Sequence, residues 1–346
     1  MEYRNLGSSN LKVSEIGLGS DTFGRDINEQ ATIAIINHAL DLGINYIDTA
    51  DVYGWGGRSE KFVGKAIKGK RSQVIIATKF GVAVVENAPQ GTSRDGLGSR
   101  DYVMKAVDAS LKRLDTDYID LYQFHMPDPT TPIEETLQAM NDLVRAGKVR
   151  FIGCSNFSAW ELCEALWISK VAGLDSFVSV EPRYNLMERS IEEELAPCCQ
   201  TYNIGVIPWY PLAAGFLTGK YRRGEAIPAG TRFSSNPTMY GRMMTDANFD
   251  RLEKLQTFAS EHGHSMAELA ISWLISRQWV TTVIAGVTKT EQVSANVTAA
   301  KWKLTADEMT RLDRATDYRM SSAFPVRPRK YNLPAGFLQK PKKAVK

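Results

Sequence analysis

Short apolar runs alternate along this chain with longer segments whose apolar residues recur at helical spacing. The runs are IGLG from Ile16, NYIDTA from Asn45, VIIATKF from Val74, IDLYQFH from Ile119, VRFIGCSN from Val149, FVSVEPRYN from Phe177, GVIPWYPL from Gly205 and TTVIAGV from Thr281. Each has the length and bounding turn residues of a buried strand, and there are eight. The helical segments between them carry their own punctuation. NEQATIAIINHALDLG spaces Ala31, Ile35, Ala39 and Leu42 along one face and stops at Gly43. SRDYVMKAVDASLKRL starts with Ser99 as N-cap candidate, and TPIEETLQAMNDLVRAGK has Thr131 as cap, Pro132 at the first helical position and Gly147 as stop. SAWELCEALWISK, SIEEELAPCCQTY, FDRLEKLQTFASEHG, MAELAISWLISR and TEQVSANVTAA complete the set.

Strand and helix in alternation imply parallel pairing through right-handed crossovers. A count of eight, and the absence of a GxGxxG turn after an early strand, favour a closed α/β architecture, the (β/α)8 TIM barrel, over an open doubly wound sheet. YRNLGSSNLKVS reads as an N-terminal β-hairpin capping one end. A long stretch without clear periodicity, AAGFLTGKYRRGEAIPAGTRFSSNPTMYGRMMTD, follows the seventh strand, and an extra helix, TADEMTRLDRATDY, follows the eighth. The expected organisation is one barrel domain over residues 1–318 and a basic C-terminal tail over 319–346.

In a barrel of this kind chemistry sits at the carboxyl ends of the strands. The second strand ends at Asp48 with Tyr53 just beyond, the third at Lys79, the fourth at His125, the fifth at Ser155 and Asn156, the sixth at Glu181, and the seventh at Trp209 and Tyr210. Asp, Tyr, Lys and His from three strands therefore share one mouth. Such a set suits proton delivery to a carbonyl oxygen. A free phenol seldom gives up its proton at neutral pH; a lysine cation beside it lowers its pKa, a carboxylate anchors the lysine, and an imidazole can orient the carbonyl. Asp51 points the other way in the alternation and reads as structural. His262 and His264 in SEHGHS have no third ligand in view and read as a loop, so no metal is assigned.

Composition changes this picture little. The chain has 346 residues, 43% hydrophobic and 23% charged, with a net charge of +3, so nothing calls for nucleic acid. From Arg327 onward there are seven Lys or Arg and no acid, which leaves −4 for the rest. That tail reads either as a solvated terminus or as a flap over an acidic substrate or a cofactor phosphate. Cys154, Cys163, Cys198 and Cys199 show no metal or redox spacing and read as reduced thiols of a cytoplasmic protein. No signal peptide and no run of about 18 apolar residues is visible, so neither export nor a membrane is expected.

The motifs GINYIDTADVYG, IATKFG, DLYQFH, IGCSNF, YNL, PLAAGFLTGKY and EQVSANV, in that order, resemble the aldo-keto reductases, from the hairpin to about Tyr318. The resemblance is to bacterial-type members, near the branch of the potassium-channel β-subunits. It implies a catalytic tetrad of Asp48, Tyr53, Lys79 and His125 and a nicotinamide cofactor. It implies Ser155 and Asn156 on the nicotinamide carboxamide, Trp209 as the stacking aromatic in place of Tyr184, and Leu212, Gly215, Leu217, Thr218 and Lys220 around the pyrophosphate. Gly286, Thr288, Lys289, Gln292 and Asn296 fall at the adenine end. There Lys289, then Thr288, is the candidate for a 2′-phosphate, so NADP is preferred and NAD stays open. Family members often carry Arg near Gln292, which this chain lacks.

Similar sequences commonly place Gln at the position of Glu181. An anion there would favour the cationic oxidised ring and tilt the chain toward oxidation. Asp21, Phe23, Trp55, Met126, Trp160 and Tyr210 are the expected substrate pocket. The implied activity is reduction of aldehydes or ketones to alcohols. The alternatives are a sugar or alcohol dehydrogenase working oxidatively, and a regulatory module binding a partner as the channel β-subunits do. Homo-oligomerisation stays open.

Overall fold

A computed structural model describes residues 1–84 and 95–316, so the basic tail falls outside the described residues. Strands β1 (Tyr3–Asn5) and β2 (Lys12–Ser14) form the antiparallel hairpin. Eight parallel strands follow: β3 (Ile16–Gly19), β4 (Tyr46–Asp48), β5 (Ile75–Phe80), β6 (Ile119–Phe124), β7 (Val149–Ser155), β8 (Phe177–Glu181), β9 (Gly205–Val206) and β10 (Val283–Gly286). They are hydrogen-bonded in the order β10, β3, β4 and on to β9. The circle closes where the Thr281 N–H donates to the Val206 carbonyl at 2.8 Å and the Ile284 N–H to the Pro208 carbonyl at 3.1 Å. Pro208 has no N–H to give, so β9 stops after two residues and the closing contact is short. The eight apolar runs are thus the eight strands of a (β/α)8 barrel.

The helices start and stop largely where local chemistry asks. Asn28 caps Glu29–Asp41 by accepting from the Ala31 N–H, and Thr32, Ile35, Ile36 and Ala39 face the core. Ser158 and Glu161 form a reciprocal capping box for Ala159–Ala172. Three details differ from or add to the sequence reading. Pro132 is the N-cap of Ile133–Arg145, and the Thr131 hydroxyl donates to Asp128 instead of capping the helix. Ser99 holds the cap position of Arg100–Leu114, but its hydroxyl donates back to the Gly96 carbonyl. The helix Arg58–Ala66, between β4 and β5, escapes the apolar pattern because its buried face includes Ser59, Glu60 and Gly64.

The hairpin plugs the amino end of the barrel. Leu6, Leu11 and Val13 pack with Tyr46, Ala77, Leu121 and Ile284 from four strands and with Ile207 just past β9. Gly7 makes this approach possible: its φ is +54°, and a Cβ there would lie 2.2 Å from the Val178 carbonyl oxygen. The Arg4 guanidinium locks the plug by donating to the carbonyls of Val280 (2.5 Å) and Ile275 (2.8 Å). The long segment after β9 adds to the main core a cluster of aromatics, Phe216, Tyr221, Phe233, Tyr240 and Phe249, packed on one another. The extra helix Ala306–Thr316 docks through Asp313, which accepts from Arg277 and from the Trp273 indole N–H.

Candidate active site

Strand pleat decides which side chains enter the barrel. Above the layer that meets the plug, Asp48 on β4, Lys79 on β5, Gln123 on β6, Ser155 on β7 and Glu181 on β8 are all 2% exposed or less. The register sets Lys79 beside Gln123 and Ser155 beside Glu181. Tyr53 stands on the turn after β4. That turn needs Gly54, with φ +67°, because a Cβ there would lie 2.5 Å from the Phe23 carbonyl oxygen.

Lys79 is the hub. Its ammonium donates to Asp48 Oδ2 at 2.5 Å, to the Thr49 carbonyl at 3.2 Å and to the Tyr53 hydroxyl at 3.4 Å, and it lies 3.2 Å from Glu181 Oε2. Burial works against its charge, but Asp48 and then Glu181 outweigh burial, and its pKa is raised. Lys79 therefore stays an ammonium. Burial, then the neighbouring Glu181, pushes the Asp48 carboxyl well above the usual carboxylate range, against the pull of Lys79.

The Tyr53 phenol behaves differently from the sequence expectation. Lys79 pulls its pKa down, but burial is the larger cause, Asp48 and Glu181 reinforce it, and the pKa is raised. The lysine's field is largely cancelled by the two carboxylates that hold it. Tyr53 is accordingly kept protonated, ready to donate.

His125, just past β6, presents its ring edge-on to Tyr53 at 6.0 Å between centroids. Burial, with Lys79 nearby, lowers its pKa to about 3, so it is a neutral imidazole at physiological pH. Its Nδ1 is buried without a hydrogen-bond partner among the described residues.

Next to these, Asn156 adopts φ +59°, donates its amide N–H groups to the His125 carbonyl and the Ser155 hydroxyl, and accepts from the Trp209 indole N–H at 3.2 Å. Ser155 and the Asn156 backbone N–H both donate to the Glu181 carbonyl. Trp209 packs edge-to-face on Tyr210, with the Arg183 guanidinium 4.8 Å from the Trp209 ring centre. A cavity of about 500 Å³ opens here, lined by Asn156, Pro182, Arg183, Ser190, Leu195 and Trp209 among others.

Tyr184, by contrast, is buried and donates to Glu192. Among the expected substrate residues, Trp55 and Trp160 are exposed and Met126 packs beside Tyr53. Asp21 is held by Arg25 at 2.9 Å and approached by Arg232 of the long segment at 3.6 Å. Phe23 is fully buried in the main core, which leaves its ring no free face for a ligand.

Beyond β9 the chain takes three successive left-handed residues, Ala213 (φ 47°), Ala214 (56°) and Gly215 (93°). Two alanines in that region mark a conformation held by the surrounding structure. The Lys220 ammonium folds over Gly215, where a Cβ would lie 2.9 Å from its nitrogen, while the Thr218 hydroxyl donates to the Gly215 carbonyl. Leu217 is buried and Leu212 partly so. After β10, the Gln292 side chain accepts from the backbone N–H groups of Thr288 and Lys289, closing the start of helix Thr290–Ala299. Lys289 and Gly286 are exposed there, and Asn296 is buried.

Other singled-out groups are engaged elsewhere. His262 contacts the Phe258 carbonyl and Glu308, and His264 stacks on Trp302. The Asp51 carboxylate is buried beside Glu60 and Arg113, its pKa raised chiefly by burial. Sequence reasoning missed Gln123. The signal was present: it lies two residues before His125 on a strand, and so on the same inward face.

Residues 15–317 match the family model described as the aldo/keto reductase family. The chain belongs to that family. Among its relatives, a rice protein described as a probable voltage-gated potassium channel subunit beta is 38% identical over 306 residues, 86% of this chain and 91% of its own. The versiconal hemiacetal acetate reductase of Aspergillus parasiticus is 36% identical, covering 90% and 96%. An aldo-keto reductase of Bacillus subtilis is 35% identical, covering 89% and 91%. Family membership supports oxidoreductase chemistry on small carbonyl compounds. No helix among the described residues is long and apolar enough to cross a membrane.

Proposed function

We propose that this chain is an NADP-dependent reductase of aldehydes or ketones, acting in the cytoplasm, with Tyr53 as the proton donor. The observation that carries the reading is the Lys79 ammonium 3.4 Å from a protonated Tyr53 hydroxyl, with a neutral His125 edge-on to it at the barrel mouth. A bound reduced nicotinamide supplies a hydride to the carbonyl carbon. As the carbon–oxygen π pair moves onto oxygen, Tyr53 gives that oxygen its proton, and the phenolate left behind is held by Lys79 until it regains a proton from solvent. His125, neutral and with its ring in reach of the same space, hydrogen-bonds the carbonyl oxygen and fixes its direction.

The residues present fit such a cofactor. The left-handed turn Ala213–Gly215 lies beneath the Lys220 ammonium, whose charge suits a pyrophosphate. Ser155 and Asn156 offer a hydroxyl and an amide suited to a carboxamide beside the Trp209 ring, and the exposed Lys289 is the group for a 2′-phosphate. Replacing Tyr53 with Phe should abolish carbonyl reduction by at least ~100-fold, the scale of one general acid, while NADPH still binds by fluorescence titration. Retained turnover would assign the acid to another group.

A second reading is favoured by the relatives described as potassium channel β subunits: a module whose main task is to bind a partner protein. Tetramers on a sizing column with no turnover across a broad panel of aldehydes, ketones and sugars would favour it.

A further inference from the structure

Lys79 is faced by two carboxylates where one would balance it. Asp48 Oδ2 lies at 2.5 Å and Glu181 Oε2 at 3.2 Å. The Gln123 amide nitrogen spans the pair, donating to Glu181 Oε2 at 2.9 Å and to Asp48 Oδ1 at 3.4 Å, and its own Oε1 has no partner among the described residues. Two carboxyl groups therefore share one ammonium, at exposures of 0–2% where water screens little. Glu181 is also the backbone neighbour of the groups that would seat the ring: its carbonyl accepts from Ser155 and Asn156. Whatever those two residues hold lies next to Glu181.

We propose that Glu181 is the residue that sets this site's preference between the two redox states of its nicotinamide, its carboxylate drawing in the cationic oxidised ring and giving nothing to the neutral reduced one. This rests on the reading of the mouth as a nicotinamide site. His125 is neutral and Asp21 is paired with Arg25, so neither offsets the Glu181 carboxylate. Gln123 keeps the Glu181 carboxylate turned into the barrel, on Lys79, instead of out to solvent.

The test is a fluorescence titration of the full chain with NADP and NADPH separately, for wild type, Glu181→Gln and Glu181→Asp. One charge removed from a neighbouring position, at an effective dielectric of about 20, is worth roughly tenfold in affinity. Glu181→Gln should therefore lose about tenfold for NADP with less than about twofold change for NADPH. The bound couple's potential should rise by about 30 mV. Glu181→Asp, which keeps the charge, should retain the wild-type ratio of the two affinities. An unchanged ratio in Glu181→Gln, or the same loss in both variants, overturns the proposal and assigns Glu181 a packing role. Binding of both forms without any carbonyl turnover would refute the reductase reading and leave this inference standing. Binding of neither form would overturn both.

Discussion

Removing the cation from the buried cluster is the sharpest perturbation available. In Lys79→Met a side chain of similar length replaces the ammonium, and Asp48 and Glu181 are left facing each other across it. At an effective dielectric of about 20 the two attractions, at 2.5 and 3.2 Å, are each roughly 5–7 kcal/mol and are offset by several kcal/mol of desolvation per ion. Breaking such a set by deleting one partner typically costs about 3–5 kcal/mol. The pH dependence follows from the sign of the Asp48 shift. Its carboxyl is already raised above the ordinary 3.8 by burial and Glu181, and loss of Lys79 raises it further. The folded state then binds the proton more tightly than the unfolded state does. Stability is greatest below the ordinary value and is lost as pH rises through the folded pKa.

Urea unfolding of Lys79→Met should therefore show the full deficit of about 3–5 kcal/mol at pH 8 and a deficit of less than about half that at pH 5, where carboxyls with raised pKa take up protons. Adding Glu181→Gln to Lys79→Met should recover about 1–3 kcal/mol at pH 8, because one of two unpaired charges is gone. A deficit equal at both pH values, or strict additivity of the two substitutions, would refute the charge reasoning and leave lost packing as the cause.

Two further outcomes follow from the same structure. His125, with its pKa lowered to about 3, should show no imidazole titration between pH 5 and 8 by NMR; since the unfolded chain takes the proton first, its contribution to stability should fall as pH drops below about 6.5. Arg4→Ala removes the charged donor from the Ile275 and Val280 carbonyls and should cost about 2–4 kcal/mol by chemical denaturation, with the barrel's circular dichroism unchanged.

The strands were legible because each is an apolar run bounded by turn residues, and burial on both faces of a barrel demands that. Helix Arg58–Ala66 was not, because Glu60, wholly buried, is satisfied by Thr78 and Arg113, residues far away in sequence. A polar residue whose partners are distant looks exposed when only its neighbours are read. The meeting of Asp48, Tyr53, Lys79 and His125 was legible from strand ends and the family resemblance together, but its electrostatics were not. The phenol's pKa is raised chiefly by burial, with Asp48 and Glu181 adding to it, and Glu181 reaches across from β8 to Lys79 on β5, a meeting that no local pattern encodes. Phe23 was drawn into the pocket by its position after β3, whereas the turn that follows folds its ring into the core.

The hairpin seal described above gives the barrel a floor and a single doorway. Any molecule that comes to rest on Lys79 must arrive past the rim that carries Trp55, Trp209 and Tyr210, and must leave by the same route. Two guests sharing such a vessel form a queue. Where one lies beneath the other, the deeper leaves last, an order imposed by the closed end, far from the chemistry itself.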